Sequence, residues 1–391
     1  MNIIKDLPSV EINNNFLYSN EVFQFGLNHF AWFHNFNTDI KEAYVSDVEM
    51  NPNEKYYFIH FISFFSIENI TKLYSEDNDF SKQIKKLLKY KNFRIIFLDV
   101  HESHEHYQVD NFFECFDEKE KILFINNDYN LKNKKIKTIK SNFLVKNSIK
   151  NFIENDLFKK SWNDLKRNKM FLCKNKSGKA HRYFTLCLLD NYGLLEKTNY
   201  SFLTHPDTNN QKIDKSIFLN FDKSETKIQE LVKNSKYTDF EYDFNFNLLE
   251  KSNYNFAGEL ISDDYKNSYI NITTESVYFG ERIHVTEKSI KPFFLSQLPI
   301  FVASHHHVKH LKENLNLDLF DDFINHDYDN EKDDTLRLKM LIEECSRLSQ
   351  MENEIILFFK NNKERFEKNV KILTNHYLKS EGDVLQNILN F

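Results

Sequence analysis

The stretch RIHVTEKSIKPFFLSQLPIFVAS, residues 282–304, decides which fold we expect for the C-terminal half of the chain. Thr286 and Glu287 form an ordinary helix start, because a threonine hydroxyl caps free backbone N–H groups and an acid suits the positive end of the helix dipole. Lys288 is unfavourable in the same turn unless an anion lies nearby. The apolar run 298–302 predicts a buried strand. The pattern therefore predicts a helix that leads into a strand of an α/β sheet, with an anion such as a phosphate before the helix.

A second unit of the same kind lies upstream, in KMFLCKNKSGKAHRYFTLCLLDNYGLL. KMFLCKN predicts a strand, and HRYFTLCLLDNYGLL predicts an amphipathic helix that ends near Gly193. The loop region carries Lys174, Lys176 and Lys179, and Arg182 stands at the helix start, where a guanidinium suits bidentate phosphate contacts. Two such units would fit a diphosphate held between them. Plain surface cations are the alternative interpretation.

Apolar runs and polar helical stretches alternate in the first half of the chain. YYFIHFISFF, FRIIFLDV and KILFINND predict buried strands, and SKQIKKLLKYK predicts a helix. The lysine-rich segment 130–148 alternates Ile with Lys and is either an edge strand or a solvated run of charge. SYINITTES predicts a further strand, and long helices are expected from about Thr335 onwards. This alternation is typical of parallel sheets flanked by helices.

Two successive α/β alternations with a helical end predict an α/β fold of two Rossmann-like domains that face each other across a cleft. We expect one domain at residues 1–155, a second at residues 156–365, and a C-terminal helix at residues 366–391 that packs back on the first domain. Ligands of such sheets bind outside the carboxyl ends of the strands. Functional residues are therefore expected in the loops that follow the strands.

Composition and charge bound the classes of protein that fit. With 391 residues, 41% of them apolar, and only 6 Gly and 5 Pro, the chain is long enough for two domains and unlike a disordered protein. The formal charge of −6 argues against a general nucleic-acid-binding surface. Four cysteines without CxxC spacing predict buried, reduced thiols.

Location is predicted from the same composition and from two apolar segments. The N-terminus lacks the apolar core of a signal peptide, and YYFIHFISFFSI is too short and too polar to span a bilayer. We expect a cytoplasmic protein of a bacterium or of a virus-infected host cell, without a transmembrane segment and without stable nucleic-acid binding.

The order of the motifs resembles a known enzyme family. NITTESVYFGERIHVTEKSIKPFFLSQLPIFVAS contains a strand ending in a Glu, a loop, a Thr-Glu-Lys helix start and a buried strand, and FLCKNKSGKAHRYF upstream places Arg182 at a helix start. The chain resembles the fucosyltransferase-type glycosyltransferases in this order, over about residues 168–304. SIKPFF and SHHHVKH depart from the family pattern. A divergent viral or bacterial branch of the family is therefore as compatible with these residues as a true fucosyltransferase.

The resemblance implies a GT-B fold and metal-independent, inverting transfer of a sugar from a nucleotide-diphosphate donor, with a GDP-sugar favoured. It implies that the first domain binds the acceptor, a hydroxyl of a glycan or of another molecule, and that the second binds the nucleotide sugar. The donor is a substrate, and no cofactor or metal is implied. The implied donor-binding residues are Arg182 and Lys288 for the diphosphate, Glu287 for the ribose hydroxyls, Glu275 for the donor sugar or its surroundings, and also Lys179 and Thr286.

An inverting transferase also needs a base that removes the acceptor proton. The loop HESHEH, residues 101–106, follows the predicted strand FRIIFLDV, where residues that face a cleft would lie. The resembled family has a Glu-Ser pair after a first-domain strand, so we expect Glu102 to be the base, with Glu105 as the second choice. A solvated polar loop is the alternative interpretation.

Three motifs invite a metal interpretation. HESHEH lacks the HExxH spacing of a zinc helix, and consecutive histidines such as His305–His307 in SHHHVKH point in different directions on regular structure. The DYD tripeptide at 327–329 lacks the preceding apolar strand that usually presents a metal-binding DxD motif. We expect no metal at these positions, and the role of the histidine run stays open.

Two other functions fit the same expected architecture. A viral DNA-modifying glucosyltransferase shares the GT-B fold, but the acidic net charge argues against it. A non-catalytic sugar- or nucleotide-binding protein would keep the fold and lack the base, and the carboxylate-rich HESHEH loop argues against that.

Overall fold

The computed structural model describes residues 1–12, 15–18, 41–62, 66–99, 106–131, 135–141, 143–162, 167–175, 179–202, 263–379, 387–388 and 390–391. The chain divides into two compact units, Met1–Leu144 with Lys379–Phe391, and Val145–Leu378. Each unit contains a parallel β-sheet with helices. The chain is therefore a mixed α/β protein, consistent with a Rossmann-like fold.

The first unit contains a parallel sheet and a short antiparallel hairpin. In chain order its elements are β1 (Asn2–Ile4), β2 (Val10–Ile12), β3 (Asn15–Tyr18), β4 (Lys41–Ala43), α1 (Val45–Met50), β5 (Tyr56–Phe61), α2 (Ile67–Ser75), α3 (Asp79–Leu88), β6 (Phe93–Asp99), α4 (His106–Phe113), a 3₁₀ turn (Lys119–Lys121), β7 (Ile122–Asn126) and β8 (Lys137–Lys140). The sheet has the order β4-β1-β5-β6-β7-β8, and its paired strands are parallel; β2 and β3 form the hairpin.

The core of the first unit lies against the central strands of this sheet. Nearly every residue of β5, β6 and β7 is buried, because a parallel strand between helices is covered on both faces. Tyr74, Phe97 and Phe112 pack edge to face, with ring centroids 5.0–5.7 Å apart. The predictions of three buried strands, of helix α3 and of an edge strand, β8, in the lysine-rich segment are confirmed.

The second unit holds the motifs that the sequence pointed to. Its elements are α5 (Phe143–Glu154, which begins at the division), α6 (Leu157–Trp162), β9 (Lys169–Asn175), α7 (Ala180–Asn191), a 3₁₀ turn (Leu195–Lys197), β10 (Thr198–Phe202), α8 (Asp263–Lys266), β11 (Ser268–Thr274), α9 (Glu287–Phe294), β12 (Leu298–Val302), α10 (His307–Glu313), a 3₁₀ turn (Asp327–Asn330), α11 (Asp334–Leu348), α12 (Glu352–Asn361) and α13 (Lys363–Lys379). The sheet has the order β10-β9-β11-β12, and its pairs are parallel.

Helix α7 differs from its prediction. A helix is confirmed after β9, but the prediction that it is amphipathic is wrong, since every residue from His181 to Leu189 is buried. The reason is that α7 packs against β12 on one side and against α11 on another, so the C-terminal helices cover the side that was expected to face solvent. The helix predicted to begin at Thr286 and the strand at 298–302 are both confirmed.

Arg337 of α11 ties the C-terminal helices to the sheet. Its guanidinium is buried and donates to the carbonyl oxygens of Ala303 (3.2 Å), Glu331 (3.0 Å) and Tyr278 (2.9 Å). It also lies 4.4 Å from the centre of the Tyr278 ring. One side chain from α11 thus satisfies backbone groups in three loops beside the sheet.

The end of the chain belongs to the first unit. Arg94 donates from Nε to the carbonyl oxygen of Phe391 (3.2 Å), and Ile388 is buried in the first unit's core. The first compact unit ends at residue 144, the second ends at residue 378, and the residues after 378 belong to the first unit again. The functional domain limits expected at residues 155 and 365 stay a prediction.

Two findings concern the membrane and the cysteines. Among the described residues, no helix combines the length and the apolar character that a membrane span requires. None of the four cysteines, all of which lie in the described ranges, forms a disulfide; Cys173, Cys187 and Cys345 are buried and Cys115 is half-buried.

Candidate functional site

The carboxyl ends of β9, β11 and β12 meet at one edge of the second unit's sheet. Parallel pairing aligns Thr274 at the end of β11 with Val302 at the end of β12. On its other side, Thr274 donates from Oγ1 to Oδ1 of Asn175, the last residue of β9, at 2.5 Å. This is the edge where ligands of parallel α/β sheets bind.

Glu275 follows directly after β11 and is fully buried. Its backbone N–H donates to the carbonyl oxygen of Val302 (2.9 Å), which fixes the residue at the sheet edge. Oε1 accepts hydrogen bonds from the Thr286 N–H (3.0 Å) and the Ser289 hydroxyl (2.5 Å), and Oε2 accepts from the Thr286 hydroxyl (2.8 Å) and the Ser276 N–H (3.1 Å). Four donors thus surround one carboxylate, which is the arrangement that stabilises an ionised acid.

The pKa of Glu275 follows from two opposed influences. Burial raises it, but the positive charge of Lys288 and the hydrogen bond from Ser289 act in the other direction, and the pKa lies below its ordinary value. Glu275 is therefore an anion under the first turn of α9. Because it is fully buried, its carboxylate is not accessible to a molecule in the pocket.

The first turn of α9 carries the Thr-Glu-Lys tripeptide. Thr286 caps the helix, and its Oγ1 accepts from the Lys288 N–H at 3.2 Å. The Lys288 ammonium lies 2.8 Å from Oε1 of Glu287. Burial raises the pKa of Glu287, but Lys288 and Lys291 outweigh burial and lower it to about 2. Glu275 and Glu287 are thus two acids close to Lys288, and the phosphate expected before this helix stays a prediction.

A small open pocket, with about 30 Å³ of space for water-sized molecules, lies beside this turn. Its lining residues are Leu172, Lys174, Tyr265, Asn271, Ile272, Thr273, Thr274, Lys288 and Lys291. Three of them are lysines, from β9 and from the first two turns of α9, and the side chain of Lys288 is 33% exposed. The pocket therefore combines positive charge with the hydroxyl and amide groups of β11.

Arg182 and Lys179 occupy different surroundings from Lys288. Arg182 is 3% exposed, and its Nη2 lies 3.4 Å from the carbonyl oxygen of Thr274. Lys179 donates to the carbonyl oxygen of Ser276 at 3.0 Å. Both lie at the end of β11, but neither is among the described residues that line the pocket. The structure brings Lys288 together with Lys291 and Lys174.

The histidine run and the DYD tripeptide have partners within the fold. His307 lies 2.8 Å, through Nε2, from the Ser289 hydroxyl, while the rings of His305 and His306 stack on each other. Asp329 accepts from the N–H groups of Val308 and Lys309, both at 2.9 Å, and so caps α10. In the part of the chain that the structure describes, no group of three His, Cys, Asp or Glu side chains is arranged to hold a metal ion.

The expected base lies elsewhere in the chain. Glu102 and Glu105 fall outside the described residues, so their assignment stays a prediction. The strand that precedes them is β6, and its last residue, Asp99, is buried.

Three residues at the site were missed from the sequence. Lys291 stands three positions after Lys288, and this helical spacing was a signal that both lysines share one face. Ser289 stands three positions after Thr286, at the place where a helix start often carries a polar partner. His307 gave no local signal, because 18 residues separate it from Ser289.

The chain was also compared with known proteins. No protein-family model matches it, and neither the curated proteins nor the solved structures contain a match.

Proposed function

We propose that the protein is a glycosyltransferase that moves a sugar from a nucleotide-diphosphate donor to a hydroxyl acceptor with inversion. The observation that carries the proposal is the open pocket at the sheet edge, lined by Lys174, Lys288 and Lys291 beside the Thr-Glu-Lys helix start. The proposal includes a GT-B arrangement of two Rossmann-like domains and, from the resemblance, a GDP-sugar as the favoured donor.

The charge of the pocket supports a diphosphate ligand. Lysine ammonium groups bind phosphate as point charges, and three of them line this pocket, whose described lining residues include no acid. When the anomeric bond breaks, negative charge grows on the departing diphosphate. Lysines placed beside it stabilise that charge without a metal ion.

Glu287 supports the nucleotide part of the proposal. Its side chain is 19% exposed, and its lowered pKa keeps it ionised at neutral pH. A carboxylate with one oxygen on Lys288 has lone pairs left for two neighbouring hydroxyls, such as those of a ribose. Diphosphate and ribose would then be held by consecutive residues of one helix turn.

The transfer step needs a base from the first domain. The acceptor oxygen attacks the anomeric carbon, the bond from that carbon to the diphosphate breaks, and the acceptor proton passes to a carboxylate. Glu102, with Glu105 second, is the base that we propose. Arg182 and Lys179 would act from the end of β11, behind the residues that line the pocket.

Calorimetric titration with GDP, UDP, CDP and dTDP tests donor binding. We expect at least one to bind, and we expect Lys288→Ala to weaken binding roughly ten- to a hundredfold, since a charge-assisted contact contributes about 1.5–3 kcal/mol. Lys339→Ala is the matched control, because Lys339 is an exposed lysine of the same unit that pairs with Glu343. No binding by the wild type, or equal affinity in Lys288→Ala, would contradict the proposal.

Product analysis with the bound nucleotide's sugars separates an enzyme from a binding protein. We expect transfer or slow donor hydrolysis in the wild type and its loss in Glu102→Gln. Nucleotide binding without either reaction would favour the non-catalytic alternative.

A further inference from the structure

A buried line of hydrogen bonds runs from the carboxylate of Glu275 to a histidine on another helix. The Ser289 hydroxyl lies 2.5 Å from Oε1 of Glu275 and 2.8 Å from Nε2 of His307. All three side chains are at most 1% exposed. The line joins the end of β11, the first turn of α9 and the start of α10.

Counting hydrogens fixes the direction of this line. Both oxygens of the ionised Glu275 only accept, so the single hydroxyl hydrogen of Ser289 points to Glu275. The contact between Ser289 Oγ and His307 must then take its hydrogen from the imidazole. Nε2 of His307 therefore carries a proton, while Nδ1 is buried and has no hydrogen-bond partner among the described residues.

The surroundings of His307 favour this form of the ring. Burial lowers the pKa of His307, although Glu275 and Asp329, the acids that face it, act in the other direction. The Phe301 ring packs against it with a centroid distance of 5.5 Å. Lys288 and His284 are the further charged or titratable groups near Glu275. A neutral imidazole that donates from Nε2 satisfies these contacts.

The geometry points to His307 as a positioning residue for the Thr286–Lys288 turn: it donates to Ser289, orients the Ser289 hydroxyl toward Glu275, and so holds the carboxylate that accepts from Thr286. The consequence reaches the pocket, because the Thr286 hydroxyl and Lys288 depend on the same carboxylate. The importance of this turn for a ligand rests on the proposed function. The hydrogen-bond order itself does not, so the two can fail separately.

Nitrogen-15 NMR of the histidine rings tests the direction of the line in the wild-type protein. At pH 7 we expect the His307 ring to be neutral with the proton on Nε2, and we expect Ser289→Ala to shift its signals. A proton on Nδ1 alone would overturn the inference. His307→Gln identifies the signals by their loss.

Hydrogen exchange of the Thr286 and Lys288 amides tests positioning. His307→Phe keeps an aromatic ring beside Phe301 but has no donor, and we expect these amides to exchange roughly two- to tenfold faster, as for the loss of one hydrogen bond. His307→Gln restores a donor near the position of Nε2, and we expect exchange close to that of the wild type. If His307→Phe does not fold, Ser289→Ala breaks the same line and gives the same expectation.

His310→Gln is the matched control. His310 is a buried histidine one turn later on α10, and its Nδ1 contacts Asn314 at 2.9 Å. We expect no change at Thr286 and Lys288 in this variant. Equal exchange in His307→Phe and the wild type, or equal acceleration in His310→Gln, would overturn the positioning role. Nucleotide titration of the wild type tests the proposed function independently.

Discussion

Replacement of Glu275 by Gln tests how much the second unit depends on one buried carboxylate. Glutamine has the same shape, but one of its two polar atoms is an amide nitrogen. Oε1 of Glu275 accepts from the Ser289 hydroxyl and the Thr286 backbone N–H. Oε2 accepts from the Thr286 hydroxyl and the Ser276 backbone N–H. A hydroxyl can rotate away from an amide nitrogen, but a backbone N–H cannot. Either orientation of the glutamine therefore leaves one backbone N–H without its acceptor, the buried N–H of Thr286 or the partly buried N–H of Ser276.

The expected loss of stability follows from that arrangement. An unsatisfied buried N–H costs about 1–3 kcal/mol, and loss of the charge weakens each of the three remaining hydrogen bonds by about 1 kcal/mol. The neutral glutamine does not carry the desolvation cost of a buried charge, and this difference offsets part of the loss in stability. We expect a net destabilisation of about 2–4 kcal/mol, a shift of roughly 1 M in the urea midpoint for a unit of this size.

The measurement uses Trp162, which lies in α6 and packs on Phe366 of the same unit with ring centroids 5.5 Å apart. Its fluorescence, in a Trp32→Phe background, follows urea unfolding of the second unit. Glu343→Gln is the control, because its half-exposed carboxylate pairs with Lys339 only at 3.9 Å, and we expect a loss of less than about 1 kcal/mol. A Glu275→Gln midpoint within the error of the wild type would refute the argument from donor geometry.

Three further predictions concern the stability of the protein at low pH, the buried guanidinium of Arg337 and the effect of a metal chelator on activity. The pKa of Glu287 is about 2 in the folded protein, against an ordinary value of 4.5. Its ion pair therefore stabilises the fold above pH 4.5, and this stabilisation is lost as the pH falls toward 2. The difference in unfolding free energy between wild type and Glu287→Gln should shrink over the same pH range, and a constant difference would contradict the prediction. Arg337→Met leaves three carbonyl oxygens without their donor and should cost about 3–5 kcal/mol in the same urea assay, whereas Arg347→Met, at a half-exposed arginine of the same helix, should cost far less. EDTA should leave any sugar transfer intact, and loss that Mn²⁺ restores would move the assignment to a metal-dependent enzyme.

Local patterns predicted much of the second unit. Thr286 is the helix cap, Leu298–Val302 is a buried strand, and KMFLCKN is β9, because capping and apolar runs act within a few residues of the chain. The structure places two acids, Glu275 and Glu287, near Lys288. The sequence could not show that Glu275, thirteen residues earlier, would be one of them, because that depends on how the loop returns to the sheet edge. The phosphate expected before this helix stays a prediction.

The remaining features depend on contacts between distant segments. The burial of α7 on the side that was expected to face solvent comes from α11, which lies far along the chain. The contact between Ser289 and His307 requires α9 and α10 to meet after β12. A periodic sequence pattern describes one helix or strand at a time, so it could not predict either of these contacts between distant segments.

The donors around Glu275 also constrain the order in which the second unit assembles. An ionised carboxylate stays hydrated until other donors replace its water, so the end of β11 cannot become dry while α9 is absent. Thr286 and Ser289 supply those donors only once α9 has its first turn. The strand end and the helix start must therefore exclude water in one step, and residues 275–289 should open and close as one cooperative segment of the folded chain.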